Sequence, residues 1–282
     1  MKLIECPRDA MQGLEAFIPT ELKIQYINQL LKVGFDTLDF GSFVSAKAIP
    51  QMRDTLEVFR NLERRESKTK LLAIVANTRG GEEACALSGI DYIGFPMSIS
   101  EMFQQRNTNK SIAEALNTVQ ELKNLAVKTG KELVVYISMA FGNPYGDPYH
   151  PDMVVSFSGI LKTIGVRIIS LADTIGSSTP DQTKELFTRV SVALPDVEIG
   201  LHLHSSPLLA GAKVKAALSA GCKRIDSAML GFGGCPMAND KLVGNVDTRT
   251  VLSVLDENSV STTINKEAFD NALLLANRVF LS

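Results

Sequence analysis

The sequence predicts an α/β protein, a (β/α)8 TIM barrel with additional C-terminal helices. Three observations predict it. Eight short runs rich in β-branched residues alternate with longer amphipathic segments. The short runs are apolar almost throughout, as strands are when both faces of a parallel sheet are covered. A glycine (Gly34, Gly89, Gly130, Gly165, Gly221) recurs between a helix end and the next strand, where a left-handed cap is needed.

The expected strands are 2–6, 37–42, 70–76, 92–96, 132–138, 166–172, 198–204 and 223–229. The expected helices lie near 20–33, 51–64, 79–88, 111–129, 151–164, 180–193 and 207–220, with two more near 247–257 and 265–279 after the last strand. Ser111 with Glu114, and Thr179 with Gln182 after which Pro180 opens the helix, read as capping boxes. A chain of 282 residues suits one large barrel or two ordinary domains. No Gly/Ser/Pro-rich linker divides it, and the count of eight favours a single catalytic domain over residues 1–282.

Composition narrows the function classes. A net charge of −2 gives no electrostatic case for nucleic acid or an anionic membrane. No apolar run reaches membrane-spanning length, and the opening Met-Lys-Leu-Ile-Glu-Cys has no signal-peptide anatomy. Cys6, Cys85, Cys222 and Cys235 follow no disulfide or metal spacing, so reduced thiols in a cytoplasmic protein are expected.

In such a barrel the chemistry sits at the C-terminal ends of the strands. Polar groups crowd there: Arg8, Asp9 and Gln12 after the first strand, Asp39 and Ser42 on the second, Asn77 after the third, Ser138 on the fifth, Asp173 and Thr174 after the sixth. His202 and His204 end the seventh, and alternate strand residues share a face, so both imidazoles aim at one place. With Asp9 and the amide of Asn245 they offer two nitrogens and hard oxygens without a thiolate, a set that suits a divalent cation. The plainer alternative is a pair of buried structural histidines. Arg8 presents a permanently charged fork that can hold a developing oxyanion, or it neutralises Asp39 or Asp173. Cys235 follows a glycine-rich loop, Gly231-Phe-Gly-Gly, and is either a proton donor on a mobile loop or incidental to a turn. Cys6, Cys85 and Cys222 are assigned to packing, and His150 to solvent.

Taken in order, Arg8-Asp9-x-x-Gln12, Ser42-Phe43-Val44-Ser45, Asn77, Ser100-Glu101-x-Phe103, Asp173-Thr174-Ile175-Gly176, His202-x-His204, Gly231-x-Gly-Gly-Cys235-Pro236 and Gly244-Asn245 resemble the 3-hydroxy-3-methylglutaryl-CoA lyases of the DRE-TIM metallolyase superfamily. The resemblance implies cleavage of that thioester to acetoacetate and acetyl-CoA with Mg²⁺ or Mn²⁺. It implies that Asp9, His202, His204 and Asn245 hold the metal, that Arg8 polarises the thioester carbonyl, that Cys235 protonates the enolate, and that Asp173 is a catalytic carboxylate. Asp39 stands where the family usually has Glu, Ser205-Ser206 where it has Asp-Thr, and Arg249 where it often has Glu. Gln12, Ser42, Asn77, Ser138 and Thr174 are expected to meet the acyl-CoA substrate, and a homodimer is compatible with the sequence. Two other readings are a related aldolase or lyase on another hydroxy acid, and a metal-binding barrel without catalysis. The cysteine loop, and the lack of a regulatory domain after residue 282, argue against a Claisen-type synthase. Retention of Arg8 and Cys235 argues against a non-catalytic barrel.

Overall fold

The computed structural model describes residues 1–234 and 243–281. Eight parallel strands close into a barrel in chain order. They are β1 (Lys2–Glu5), β2 (Thr37–Ser42), β3 (Lys70–Ile74), β4 (Tyr92–Ser98), β5 (Glu132–Ser138), β6 (Ile168–Asp173), β7 (Glu198–Leu203) and β8 (Arg224–Ser227). The ring closes where Ile4 of β1 pairs with Asp226 of β8, so the sheet has no open edge. Around it lie α1 (Pro7–Gln12), α2 (Thr20–Leu30), α3 (Thr55–Arg60), α4 (Thr78–Cys85), α5 (Glu101–Thr108), α6 (Ile112–Thr129), α7 (Pro151–Ile164), α8 (Pro180–Ala193), α9 (Pro207–Ser219), α10 (Thr248–Glu257) and α11 (Lys266–Phe280). No helix among the described residues is long and apolar enough to cross a membrane.

The strands are apolar because they have two buried faces. Every residue of β2 and β6 is buried. Outward side chains meet the helices in the main core, while Leu72, Ile74, Tyr92, Val134, Tyr136 and Ile168 form a second, smaller cluster. These six alternate along β3 to β6, as inward-pointing residues of a barrel must. Gly94 lies among them: a Cβ there would stand 2.6 Å from Ile74 and 3.2 Å from Tyr136.

The helix signals act as read. Ser111 and Thr179 each form a complete capping box, and Gly130 and Gly165 end α6 and α7 at φ +70° and +99°. Three departures have local causes. Residues 7–12 form the short α1, which Pro7 opens with its fixed φ at the first helical position. Residues 101–108 form α5, whose N-cap Ser100 accepts a hydrogen bond from the Phe103 amide. The expected helix over 51–64 is two pieces, a 3-10 turn at Pro50–Met52 and α3. Asp54 sits at the break, and its carboxylate takes the buried Lys23 ammonium at 2.8 Å and the Thr20 hydroxyl at 2.9 Å. That pair fastens the break to α2. The chain's end returns to its beginning as α11 packs on α2, with Phe280 edge-on to Tyr26 at 5.9 Å and stacked on Phe232 at 5.0 Å.

Beneath the barrel mouth Glu5 is fully buried. Its carboxyl accepts the Met229 amide at 2.7 Å and faces the Thr248 hydroxyl at 2.6 Å, which ties β1 to the segment after β8 and to α10. Burial pushes its pKa up to about 8, against the pull of those two hydrogen bonds. Folding therefore takes up a proton between the unfolded value of 4.5 and about 8. The contribution is complete below that window and lost as pH rises through it, on the order of a few kcal/mol. Glu5→Gln, which keeps the shape and both partners, should flatten the fall in stability between pH 5 and pH 8.5. Denaturant melts at the two pH values check this; parallel curves for wild type and variant would contradict it.

Candidate metal centre and active site

β1 runs into α1, so Arg8 and Asp9 stand on the first turn of a helix at the barrel mouth rather than on the strand itself. His202 lies within β7, paired with Ala172 on one side and Asp226 on the other. His204 lies one residue beyond the strand and meets Asn245 in an isolated antiparallel bridge. The His202 and His204 Nε2 atoms are 3.1 Å apart, and each is 3.9 Å from Asp9 Oδ2. All three residues are buried and their ligand atoms converge on one point.

The outer partners decide what those nitrogens present. His202 Nδ1 is 3.1 Å from Asp226 Oδ2, and His204 Nδ1 is 2.6 Å from the Val243 carbonyl. A carboxylate and a carbonyl can only accept, so both Nδ1 atoms carry hydrogen. His204, the neutral ring, turns its Nε2 lone pair toward His202, and His202 presents a lone pair there once its Nε2 proton is given up. With both rings neutral, the facing nitrogens need a positive charge between them, a proton or a metal cation, and the carboxylate of Asp9 completes a charged, hard-donor set. The donor set fits a divalent cation.

The electrostatics agree. Burial opposes charge on Asp9, but Arg8, both imidazoles and the Asn245 amide outweigh it and hold the carboxyl well below the ordinary range. Burial and the neighbouring His202 push His204 down to about 4, which keeps it neutral and ligand-ready at pH 7. For His202 burial is outweighed by Asp226 and Asp9, and its pKa rises. Asn245 is at hand, with its Nδ2 donating to Asp9 Oδ2 at 2.7 Å and to the Phe232 carbonyl at 2.9 Å. It thus shows Asp9 its nitrogen, and ligation through oxygen requires the amide to turn over.

Arg8 forms the second half of the floor. Its Nε meets both Asp39 oxygens at 3.1 and 3.0 Å and its Nη2 meets Asp39 Oδ2 at 2.5 Å, while Nη1 donates to Asp9 Oδ1 at 2.9 Å and to Gln12 Oε1 at 2.7 Å. Arg8 is therefore paired with Asp39 and not with Asp173. The shorter acid reaches because β2 shifts register between Asp39 and Gly41, and a bulge of this kind re-aims the side chain beside it. Burial pushes Asp39 up to about 6, and Arg8 keeps it ionised at neutral pH.

The cavity above this floor is lined by Gln12, Ser138 and Thr174 and walled by apolar residues including Val44, Ile49, Ile74 and Phe103. The other expected site residues stand elsewhere. Ser42 is buried and caps the Val44 amide, and Asn77 caps α4 through the Gly80 amide. Asp173 is buried and spends its carboxylate on Lys213, Ser177 and Ser178, outside the cavity lining. His150 is exposed and caps α7. Cys235 lies outside the described residues; Cys6, Cys85 and Cys222 are buried free thiols.

Two residues of the site escaped the sequence reading. Asp226, the partner of His202, was signalled only by polar residues alternating in Arg224-Ile-Asp226, a strand otherwise expected to be apolar. Tyr136 stands edge-on to the His202 ring at 5.7 Å and lines the cavity, and its ring gave no sign of this in an apolar run.

Residues 3–274 match the HMGL-like family model. The chain belongs to the HMGL-like family. The hydroxymethylglutaryl-CoA lyase of Bacillus subtilis is 34% identical over 261 residues, 93% of this chain and 86% of that protein. The solved HMG-CoA lyase of Brucella melitensis superposes with a TM-score of 0.92 at 31% identity, covering 100% of this chain and 99% of that one. The HMG-CoA lyase of Acinetobacter baumannii, solved in complex with coenzyme A and 3-methylmalate, superposes with a TM-score of 0.90 at 28% identity over 99% of this chain and 90% of that one. The family's HMG-CoA lyases thus share this closed barrel along almost its whole length.

Gly233 tests the geometry of the floor. Its φ is +111°, and a Cβ there would stand 2.4 Å from Asn245 Nδ2 and 3.1 Å from Asp9 Oδ2. Gly233→Ala should displace Asn245 from Asp9 and weaken Mn²⁺ binding about 10-fold or more, read by calorimetry. Unchanged affinity would show that Asn245 and Asp9 do not share the cation.

Proposed function

We propose that this protein is a divalent-metal-dependent carbon–carbon lyase that cleaves 3-hydroxy-3-methylglutaryl-CoA to acetoacetate and acetyl-CoA. One observation carries the reading. Two imidazole Nε2 atoms lie 3.1 Å apart beside Asp9, at the mouth of a barrel of the HMGL-like family. The Acinetobacter relative with bound coenzyme A supports an acyl-CoA as the small-molecule partner. Residues 1–282 act as one catalytic domain, and the setting is the cytoplasm, where buried thiols stay reduced.

Asp9, His202, His204 and Asn245 would hold Mg²⁺ or Mn²⁺. Such a cation supplies Lewis acidity that lowers the pKa of the substrate's tertiary hydroxyl and orients it. The reaction breaks the bond between C2 and C3 of the acyl chain. The hydroxyl proton passes to a neighbouring carboxylate or water, C3 becomes the ketone of acetoacetate, and the bonding pair leaves on C2 as the enolate of acetyl-CoA. Arg8 faces that enolate oxygen. Two N–H bonds at Nη1, one at Nε and one at Nη2 are taken by Asp9, Gln12 and Asp39. A guanidinium has five, which leaves one on Nη2 for the substrate. Asp39 acts through Arg8 by fixing the plane of the fork. Cys235 protonates C2 and completes acetyl-CoA. Gln12, Ser138 and Thr174 orient the acyl group from the cavity wall.

Incubation with Mg²⁺ or Mn²⁺ and 3-hydroxy-3-methylglutaryl-CoA should release acetoacetate and acetyl-CoA in equal amounts; an unchanged thioester after prolonged incubation would end the proposal. His204→Ala should lower metal-dependent turnover by at least about 100-fold with an unaltered circular dichroism spectrum. Wild-type rates in that variant would move the metal elsewhere. Cys235→Ala should slow turnover by about 10²–10⁴-fold while Mn²⁺ affinity holds; an unaffected rate would reduce that cysteine to a loop residue.

A further inference from the structure

We infer that Lys213 and Asp173 form a positioning pair that fixes His204 in the metal site, and that Asp173 acts there rather than on the substrate. The inference rests on the metal site proposed above and assigns a role to a lysine outside it.

His202 needs no such help. It lies inside the barrel ladder, with register partners on β6 and β8. His204 lies past Leu203, the last residue of β7, where only one ladder bond, to the end of β6, still reaches it. Four contacts fix it. Its N–H donates to the Asp173 carbonyl at 3.3 Å, its carbonyl accepts from Lys213 Nζ at 3.3 Å, its ring donates to the Val243 carbonyl, and the residue pairs with Asn245. The first two run through one node.

Lys213 projects from α9 and is fully buried. Its ammonium has three hydrogens and three acceptors: Asp173 Oδ2 at 2.8 Å, the Gly176 carbonyl at 3.2 Å and the His204 carbonyl at 3.3 Å. Asp173 is equally committed. Oδ1 accepts the Ser177 amide at 3.0 Å, while Oδ2 accepts the Ser178 amide at 3.1 Å and its hydroxyl at 2.6 Å beside Lys213. Oδ2 is fully taken by three donors and Oδ1 by one, and the residue does not line the cavity. The node therefore clamps α9, the loop after β6 and the end of β7 together. Close packing leaves little slack: a Cβ on Gly176 would stand 3.1 Å from the His204 carbonyl oxygen and 2.8 Å from Val243.

A residue that supports a metal ligand changes metal affinity, whereas a catalytic acid or base changes the pH dependence of turnover. The experiment measures Mn²⁺ affinity by calorimetry and the pH profile of kcat/KM for wild type, Asp173→Asn, Lys213→Gln and the double variant. Asp173→Asn and Lys213→Gln should each weaken Mn²⁺ binding by about 10–100-fold and keep the shape of the profile. The double variant should bind no worse than the weaker single one, because both act through one node. Should a single variant fail to fold for want of charge balance, the double variant leaves no unpaired buried charge and is read alone, with the same 10–100-fold loss expected. Wild-type Mn²⁺ affinity in the folded variants, or loss of one limb of the pH profile in Asp173→Asn with affinity intact, would overturn the inference. Failure of the wild-type protein itself to bind Mn²⁺ would instead overturn the metal site.

Discussion

The rest of the site depends on two ring nitrogens that face each other beside a carboxylate and need positive charge between them. His202 and His204 are each held by an acceptor at Nδ1, so Nε2 is the nitrogen that each ring turns to the other. Their Nε2 atoms meet at 3.1 Å, in a buried setting where an unpaired polar group is costly. Asp9 adds a carboxylate that its neighbours keep ionised. Three electron-pair donors around one point call for positive charge there, and in the proposed site a divalent cation supplies it in place of a proton.

Around this centre the remaining charges are taken in pairs. Asp39 takes Arg8 and Lys213 takes Asp173, while Glu5, with its pKa pushed up to about 8, is an uncharged carboxyl at neutral pH between the Met229 amide and the Thr248 hydroxyl. A buried ion pair gains little net stability over an apolar filling, but removal of one partner is severe. The value of these pairs lies in geometry. The Asp39 pair fixes the plane of the Arg8 guanidinium, and the Asp173 pair ties loops that no strand organises.

Much of this was legible in the sequence. Five glycines between helix and strand marked the turns, and all five adopt positive φ. His202 and His204 were readable because period-two geometry is local. Arg8 and Asp9 were readable as residues following a strand, although Pro7 turns them into a helix. What stayed hidden needed contacts across the barrel. Asp226 meets His202 only because β8 lies beside β7, and the bulge that lets Asp39 reach Arg8 leaves no mark in Thr-Leu-Asp-Phe-Gly-Ser. Lys213 reads as an ordinary helical lysine until α9 buries it. The catalytic role expected of Asp173 came from the family resemblance; the direction of its side chain, toward Lys213 on α9, depends on the loop that follows.

The most direct test is a crystal of the protein grown with Mn²⁺ and measured at the manganese absorption edge. The account predicts one anomalous peak per chain, bonded to Nε2 of both His202 and His204 and to the carboxylate of Asp9, with Nδ1 of each ring still on Asp226 and the Val243 carbonyl. A fully loaded crystal with its manganese elsewhere, and the two imidazoles joined by an N–H hydrogen bond, would contradict it.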